Sequence, residues 1–435
     1  MDNKIKVTAT GDALFVADIP AEYDADMAVI KEFIGKGDVR ITNLETNISK
    51  FGDFPNAYSG GTWLNTEPEV FDDLTRYGFN YYGTANNHCM DYSYHGMLST
   101  IDELDKRNLA HSGTGRSLSE AAAPAVIDVC GKRVAIFAVT AEYEAASKAN
   151  DATNTLAARP GVNYIGHDTY YPADEQTVNA LKSVAEKTRI NGQRELNIAG
   201  GFVLPDPDGI FNFGGIKFCY DGSRKKTECN KKDKERIVNA IKDAKKEYDL
   251  VVILIHCHTV KTDIHEEVPE YLEELSHACI DAGASAMIGG GTHQLRALEI
   301  YKGSPIFYSL GDFIYQGMRV PILPADFMEK YGVDKNATAW EGLMARSKNN
   351  TIGLQVHKCN FMTVIPYMEF DDCGKLTALN MLPVVAGFKR EGKLDGLPYH
   401  AKGDERKEIF EVLSRLSTPY GTKLVLENDI IKLKF

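Results

Sequence analysis

The sequence runs to 435 residues, of which 43% are hydrophobic, 25% charged and 10% aromatic. That profile fits a folded chain with ample length for a large core, and excludes disordered, collagen-like and disulfide-stapled classes. Asp plus Glu number 61 against 49 Lys plus Arg, a net charge of −12, which argues against a dedicated nucleic-acid binder because phosphate affinity needs a basic face.

Met1-Asp2-Asn3-Lys4 leads straight into a strand-like stretch, and no apolar run approaches the roughly 18 residues of a membrane span. The sequence therefore predicts neither secretory signal nor membrane anchor. None of the eight cysteines (Cys89, Cys130, Cys219, Cys229, Cys257, Cys279, Cys359, Cys373) forms a C-x-x-C pair, and several lie in apolar runs such as Phe218-Cys219-Tyr220. Such thiols behave as small hydrophobes, and a reduced, cytoplasmic protein is expected.

In chain order, strand-like runs are expected at Ile5 to Thr10, at Val39 to Thr42 and at Phe79 to Ala85. Met97, Leu98, Ile101 and Leu104 mark a helix, with Asp91 as its expected N-cap. Val126 to Val139 reads as a hairpin turning at Gly131-Lys132. A helix through Ile237, Ile241, Ala244 and Tyr248 feeds the run Leu250 to Ile255, and another through Tyr271, Leu275 and Cys279 feeds Ser285 to Ile288. Two strands flank Lys302-Gly303, and the tail reads as strands at Ile352 to Val356, Met362 to Phe370 and Leu376 to Val385, with a helix near 404–416.

Residues 141–235 differ, being polar and glycine-rich with an aromatic-glycine segment from Gly200 to Gly215. A connection this long predicts a lid or substrate-binding insertion, with packing embellishment as the alternative. Asp206-Pro207-Asp208-Gly209 lacks calcium-loop spacing and reads as a turn.

Polar residues recur where the apolar runs end. Asp12, Glu45, Asn87 with His88, His256 with His258, and His293 each follow a separate run. Strands crossed over by helices gather their carboxyl ends on one edge, where ligands bind. Taken singly, Asp12 after a glycine suits a turn or cap, Asn87 a turn, and a strand-end histidine a structural role. An acidic residue such as Glu45 directly ending a buried run needs a partner. Together they offer hard oxygens and imidazoles, a donor set for manganese, iron, zinc or magnesium. A carboxylate shared by two ions about 3.5–4 Å apart would make a two-metal hydrolytic site.

Gly11-Asp12, Asn43-Leu44-Glu45, Asn86-Asn87-His88-Cys89-Met90-Asp91, His256, Gly283-Ala284 through His293, and Tyr308-Ser309-Leu310-Gly311-Asp312-Phe313 occur in that order. In these motifs the chain resembles the capsule-synthesis CapA family, also called poly-γ-glutamate biosynthesis proteins, a branch of the calcineurin-like metallophosphatases. The resemblance implies one α/β domain over 1–435, a four-layer α/β/β/α sandwich of metallophosphatase type, with 350–435 supplying strands and a helix that complete it. It implies a divalent-metal site of one or two ions with Asp12, Glu45, Asn87, His256 and His293 as ligands and Glu45 bridging. It also implies His88 as the acid that protonates a leaving group, oriented by Asp91.

Departures accompany the resemblance. The fold usually has ligand histidines where this chain has Leu14 and Gly291, and family members commonly have Asn at Asp312. His258, on the same strand face as His256 by period two, is the expected replacement ligand, and Gly291→His is expected to restore a lost one.

Three functions are compatible with these residues. The first is a metal-dependent hydrolase of a phosphoester or an amide such as a γ-glutamyl linkage. The second is a metal-free acid–base enzyme of peptide-epimerase type, with Asp12 and His293 facing each other. The third is a non-catalytic binder of poly-γ-glutamate or another acidic polymer, steered by the basic stretch from Arg224 to Lys234, whose plainer reading is a solvated loop and helix start. The expected partner is thus a small molecule, a peptide or a poly-γ-glutamate-like chain; the oligomeric state is not legible.

Overall fold

The computed structural model describes residues 4–129 and 131–434. Met1 to Asn3, Cys130 and Phe435 lie outside the described residues, including the first residues and the cysteine named above.

Two sheets pack face to face. The first orders its strands Leu424–Glu427, Ile430–Leu433, Leu376–Val385, Met362–Phe370, Ile5–Leu14, Val39–Leu44, Tyr81–Gly83 and Ala110–Ser112, with Asp312–Tyr315 also paired to Ile5–Leu14. The second runs Leu298–Tyr301, Ser304–Phe307, Ala286–Gly290, Leu250–His256, Lys132–Thr140 and Ala125–Val129. Ile5–Leu14, Val39–Leu44 and Tyr81–Gly83 are parallel, as are Lys132–Thr140, Leu250–His256 and Ala286–Gly290. Their carboxyl ends carry the polar residues singled out in the sequence.

Strand alternation builds the layers. In Leu250–His256, Val252 and Leu254 face the other sheet and pack with Val7, Ile41 and Tyr81. Val251, Ile253 and Ile255 face outward, against Ile237 and Ile241 of the helix Lys231–Glu247 and Tyr271 and Leu275 of Glu270–Asp281. On the far side, Ala13, Leu44 and Tyr82 pack on Met27, Ile30, Phe71 and Leu104 of the helices Asp24–Ile34, Pro68–Thr75 and Ser93–Lys106. Helix, sheet, sheet and helix form the four-layer α/β/β/α sandwich that the resemblance implies.

Some local expectations differ from the structure. The first strand does not stop at Thr10 but continues to Leu14, because Gly11 lets its backbone lie directly against Gly311. A Cβ at Gly11 would sit 1.8 Å from the Gly311 carbonyl oxygen. Asp12 is therefore a strand residue in register with Asp312, not a turn or helix cap. Asp91 does not cap the following helix, which starts at Ser93 with Tyr92 at its N-cap. The segment Ile352 to Val356 is not a strand. Gly353 at φ +110° breaks the extended run and leads into the short 3-10 turn Leu354–Val356. The Gln355 side chain folds back onto the Ile352 carbonyl (2.9 Å).

Residues 141–235 hold a separate four-stranded sheet of Ile210–Phe213, Ile216–Cys219, His167–Pro172 and Thr227–Cys229. Tyr170, Ile210 and Cys219 form its small core, and the helices Glu175–Thr188 and Gly192–Ala199 flank it. In the basic stretch, Arg224 pairs with Glu228 and Lys234 with Glu274, while Lys231 opens a helix. No helix of the described residues is long and apolar enough to cross a membrane.

Candidate functional site

Glu45, one residue past Val39–Leu44, sits at the centre of the strand-end cluster. It is fully buried, yet neither carboxylate oxygen has a hydrogen-bond partner. Burial pushes its carboxyl well above the usual range, and the neighbouring Asp12, Asp312 and Asp91 add to that. A buried carboxylate left without donors is costly, so the arrangement asks for a cation.

Two donor groups meet at Glu45: Glu45 with His256 and His258, and Glu45 with Asp12 and Asp312, each with ligand atoms within 4.8 Å of one another. His256 Nε2 lies 3.5 Å from Glu45 Oε1, 3.0 Å from His258 Nε2 and 2.7 Å from the Asn87 side-chain oxygen. Burial drives His258 well below its ordinary range, with His256, His293 and His88 adding to the effect. A neutral imidazole is the form that ligates a metal. Both groups, one of oxygen and imidazole donors and the other of oxygens alone, could hold a divalent cation, and Glu45 is common to the two.

Asp12 is held by neighbours on both oxygens. Asn43 Nδ2 donates to Oδ1 (2.6 Å) and the Gly291 amide to Oδ2 (2.6 Å). Burial alone would raise its carboxyl, but nearby His256 and these donors bring it below the ordinary range. Asn43 in turn receives a hydrogen bond from Asn86 Nδ2 (3.2 Å), which also reaches the Leu44 carbonyl (2.8 Å).

His88 and Asp91 form the expected dyad. His88 Nδ1 lies 2.6 Å from Asp91 Oδ2, and since a carboxylate only accepts, Nδ1 donates. The opposite ring nitrogen lies 3.9 Å from Glu45 Oε1. Asp91 is raised by burial although His88 opposes this, and it also accepts from the amides of Gly60 (3.0 Å) and Leu64 (2.7 Å). These bonds occupy the carboxylate that the sequence suggested as a helix cap.

His293 sits beside the cluster with its Nδ1 3.0 Å from both oxygens of Asp312. Burial works against its protonation, yet Asp312 outweighs it and the imidazole titrates above its usual range. Asp312 itself is raised by burial in spite of His293. In this arrangement Asp312 supplies a metal-capable carboxylate and His293 leans on it. Asp312, which the sequence marks only as a departure from the family pattern, joins Asp12 and Glu45 in a metal-capable group; its motif position was the available signal. His293 adopts φ +58°, a left-handed conformation common at functional sites.

The expectation that Gly291 marks a restorable ligand position fails on geometry. Gly291 has φ +108°, and a Cβ there would lie 2.7 Å from the backbone N, C and O of Cys257. The backbone amide of this residue serves Asp12, so a histidine has neither the conformation nor the space.

Beside His88 and His293 opens a cleft of about 310 Å³, lined by the 60–64 loop, Arg346 and residues 352–355. Leu14, at the other vacated histidine position, lines it as an apolar surface.

The family model for the bacterial capsule synthesis protein PGA_cap matches residues 6–317. An uncharacterized protein y4sH of Sinorhizobium fredii (strain NBRC 101917 / NGR234) is 28% identical, covering 98% of this chain and 92% of that protein. The PGA biosynthesis protein CapA of Bacillus subtilis (strain 168) is 26% identical over 58% of this chain and 47% of its own length. Among solved structures, a 5'-nucleotidase precursor from Thermus thermophilus aligns at TM-score 0.35 and 12% identity, over 88% of this chain and 54% of that one. That match is too loose to carry residue roles.

Proposed function

The chain belongs to the bacterial capsule synthesis protein PGA_cap family, and from that premise and the site's geometry we propose that it is a metal-dependent hydrolase. Its substrate class is a phosphoester or an amide such as a γ-glutamyl linkage. The observation that carries this reading is Glu45: fully buried, without a hydrogen-bond donor on either oxygen, and common to both metal-capable groups.

Glu45, His256 and His258, with the Asn87 oxygen beside them, would hold one divalent cation; Glu45, Asp12 and Asp312 would hold the other. Such cations supply Lewis acidity and make hydroxide available near neutral pH. The protein's own residues do the rest. Asn43 and the Gly291 amide fix Asp12, so that carboxylate enters the site in one orientation. His88, held at Nδ1 by Asp91, presents Nε2 on the cleft side, where it gives its proton to the leaving oxygen or nitrogen as that bond breaks. Asp91 fixes the tautomer and offsets the positive charge before transfer. The metal-free acid–base alternative uses Asp12 as its base. Against burial, nearby His256 and the donors on both of its oxygens hold its carboxyl below the ordinary range, which makes it a weaker base.

The test is metal content per chain of protein purified without chelator, joined to hydrolysis of p-nitrophenyl phosphate and of a γ-glutamyl anilide. The expected result is one to two equivalents of metal, activity on one substrate, loss with chelator and return with manganese or zinc. Protein that takes up no metal and hydrolyses neither compound overturns the proposal.

A further inference from the structure

We propose that Arg346 forms an anion-reading subsite in the cleft, which selects substrates carrying a carboxylate or phosphate beside the bond to be cleaved. This rests on the hydrolase reading of the same site and extends it to a substrate class.

Among the residues lining the cleft, Arg346 is the lone Lys or Arg, and no Asp or Glu lines it. The carboxylates of Asp12, Glu45 and Asp312 lie beneath, buried. Arg346 is the last residue of the helix Ala339–Arg346 and is half-buried. Its guanidinium is braced on one side: Nη1 donates to Thr62 Oγ1 and, at 3.5 Å, to the Gly61 carbonyl, and the Phe327 ring lies 5.9 Å away. Among the described residues no carboxylate pairs with it within 4.0 Å. A positioned guanidinium keeping unused N–H donors beside a cleft matches the planar fork by which arginine binds carboxylate or phosphate.

The subsite is tied to the catalytic dyad through the 60–64 loop. Asp91 grips that loop at the Gly60 and Leu64 amides (3.0 and 2.7 Å), and Asn87 Nδ2 donates to the Gly60 carbonyl (2.9 Å). Gly60 lies so close to the His88 ring that a Cβ there would come within 2.7 Å of its Nε2. Arg346, braced on Thr62 and Gly61, is thus one short stretch of chain from His88. An anion bound at Arg346 lies along the wall that leads to the proton donor, and this recognises a linkage flanked by an acidic group over a neutral one.

The experiment measures binding of glutarate, phenyl phosphate and neutral glutaramide to wild type, Arg346→Gln and Arg346→Lys. Each is titrated calorimetrically, with and without prior chelation, and circular dichroism and metal content serve as folding controls. Arg346→Gln keeps a donor for Thr62 while removing the charge. We expect anion affinity at least tenfold weaker in Arg346→Gln, partly recovered in Arg346→Lys, with glutaramide unaffected. Loss confined to phenyl phosphate assigns the anion as phosphate, loss confined to glutarate as carboxylate, and loss of both as the shared chemistry. Wild type that binds neither anion, or variants that bind both as wild type does, overturns the subsite. The chelated arm reads Arg346 without metal, so failure of the hydrolase reading is recorded separately.

Discussion

Glu142 reaches across the edge of the sandwich to hold His258 in place: one of its oxygens accepts from the His258 amide (3.0 Å), the Thr259 amide (3.1 Å) and the Thr259 hydroxyl (3.0 Å). On the other side Arg296, fully buried, donates to the Thr259 carbonyl (2.8 Å). A single acceptor for three donors explains why a residue just past an apolar strand can hold a fixed position without sheet pairing. Glu142→Ala is expected to weaken uptake of the cation at His256 and His258 about 10–100-fold. Uptake at Asp12 and Asp312 should change little. Calorimetric titration with manganese checks this, and equal weakening of both sites would show a general loss of structure.

Glu45→Gln separates stability from function. Removing the charge relieves a buried, unpartnered carboxylate among three others, so the metal-free protein should gain about 1–3 kcal/mol. On the proposed reading metal raises the melting temperature of wild type, and the same change should abolish that rise. Denaturant unfolding with and without chelator reads both effects, and a destabilised metal-free variant would contradict the picture.

His88→Asn and Asp91→Asn should lower turnover by about 10²–10⁴-fold, the range of general acid catalysis. Metal stoichiometry should stay at the wild-type value. Steady-state kinetics beside elemental analysis decides this; parallel loss of metal would move His88 from proton donor to ligand.

Gly291→Ala, the smallest side chain at the position where the family pattern has histidine, should destabilise the fold by about 1–3 kcal/mol through left-handed strain. The collision with Cys257 backbone adds to it. Thermal unfolding of the chelated variant measures the cost, and wild-type stability there would reopen the position to a ligand.

The sandwich was largely legible because Val251 to Ile255 and their counterparts are continuous apolar runs, and runs buried on both faces announce themselves. The strand-end residues Asp12, Glu45, His88 and His256 were legible for the same reason, each marking where such a run stops. Asp312 and Arg346 were not. The first meets Asp12 only through parallel pairing of strands from opposite ends of the motif series, which no local pattern encodes. The second reads as an ordinary charge in the last turn of a helix until Thr62 is seen beneath it. The strand expected at Ile352 to Val356 failed on one residue, since the apolar residues Ile352, Leu354 and Val356 alternate as a strand would, while Gly353 takes a positive φ that the alternation does not register.

The register of Asp12 against Asp312 also bears on the order in which the protein assembles. The carboxylate pair cannot exist until residue 312 has been made, so a growing chain holds Asp12 and Glu45 with neither their partner nor a complete cation site. Closing that pairing is a contact of long sequence separation, among the slower events of folding. On the proposed reading, capture of the cation at Asp12 and Asp312 would follow closure of that pairing. A chain stopped short of Asp312 would also lack Met362–Phe370, which pairs with Ile5–Leu14, and should therefore fail both to complete the first sheet and to hold a cation at Asp12.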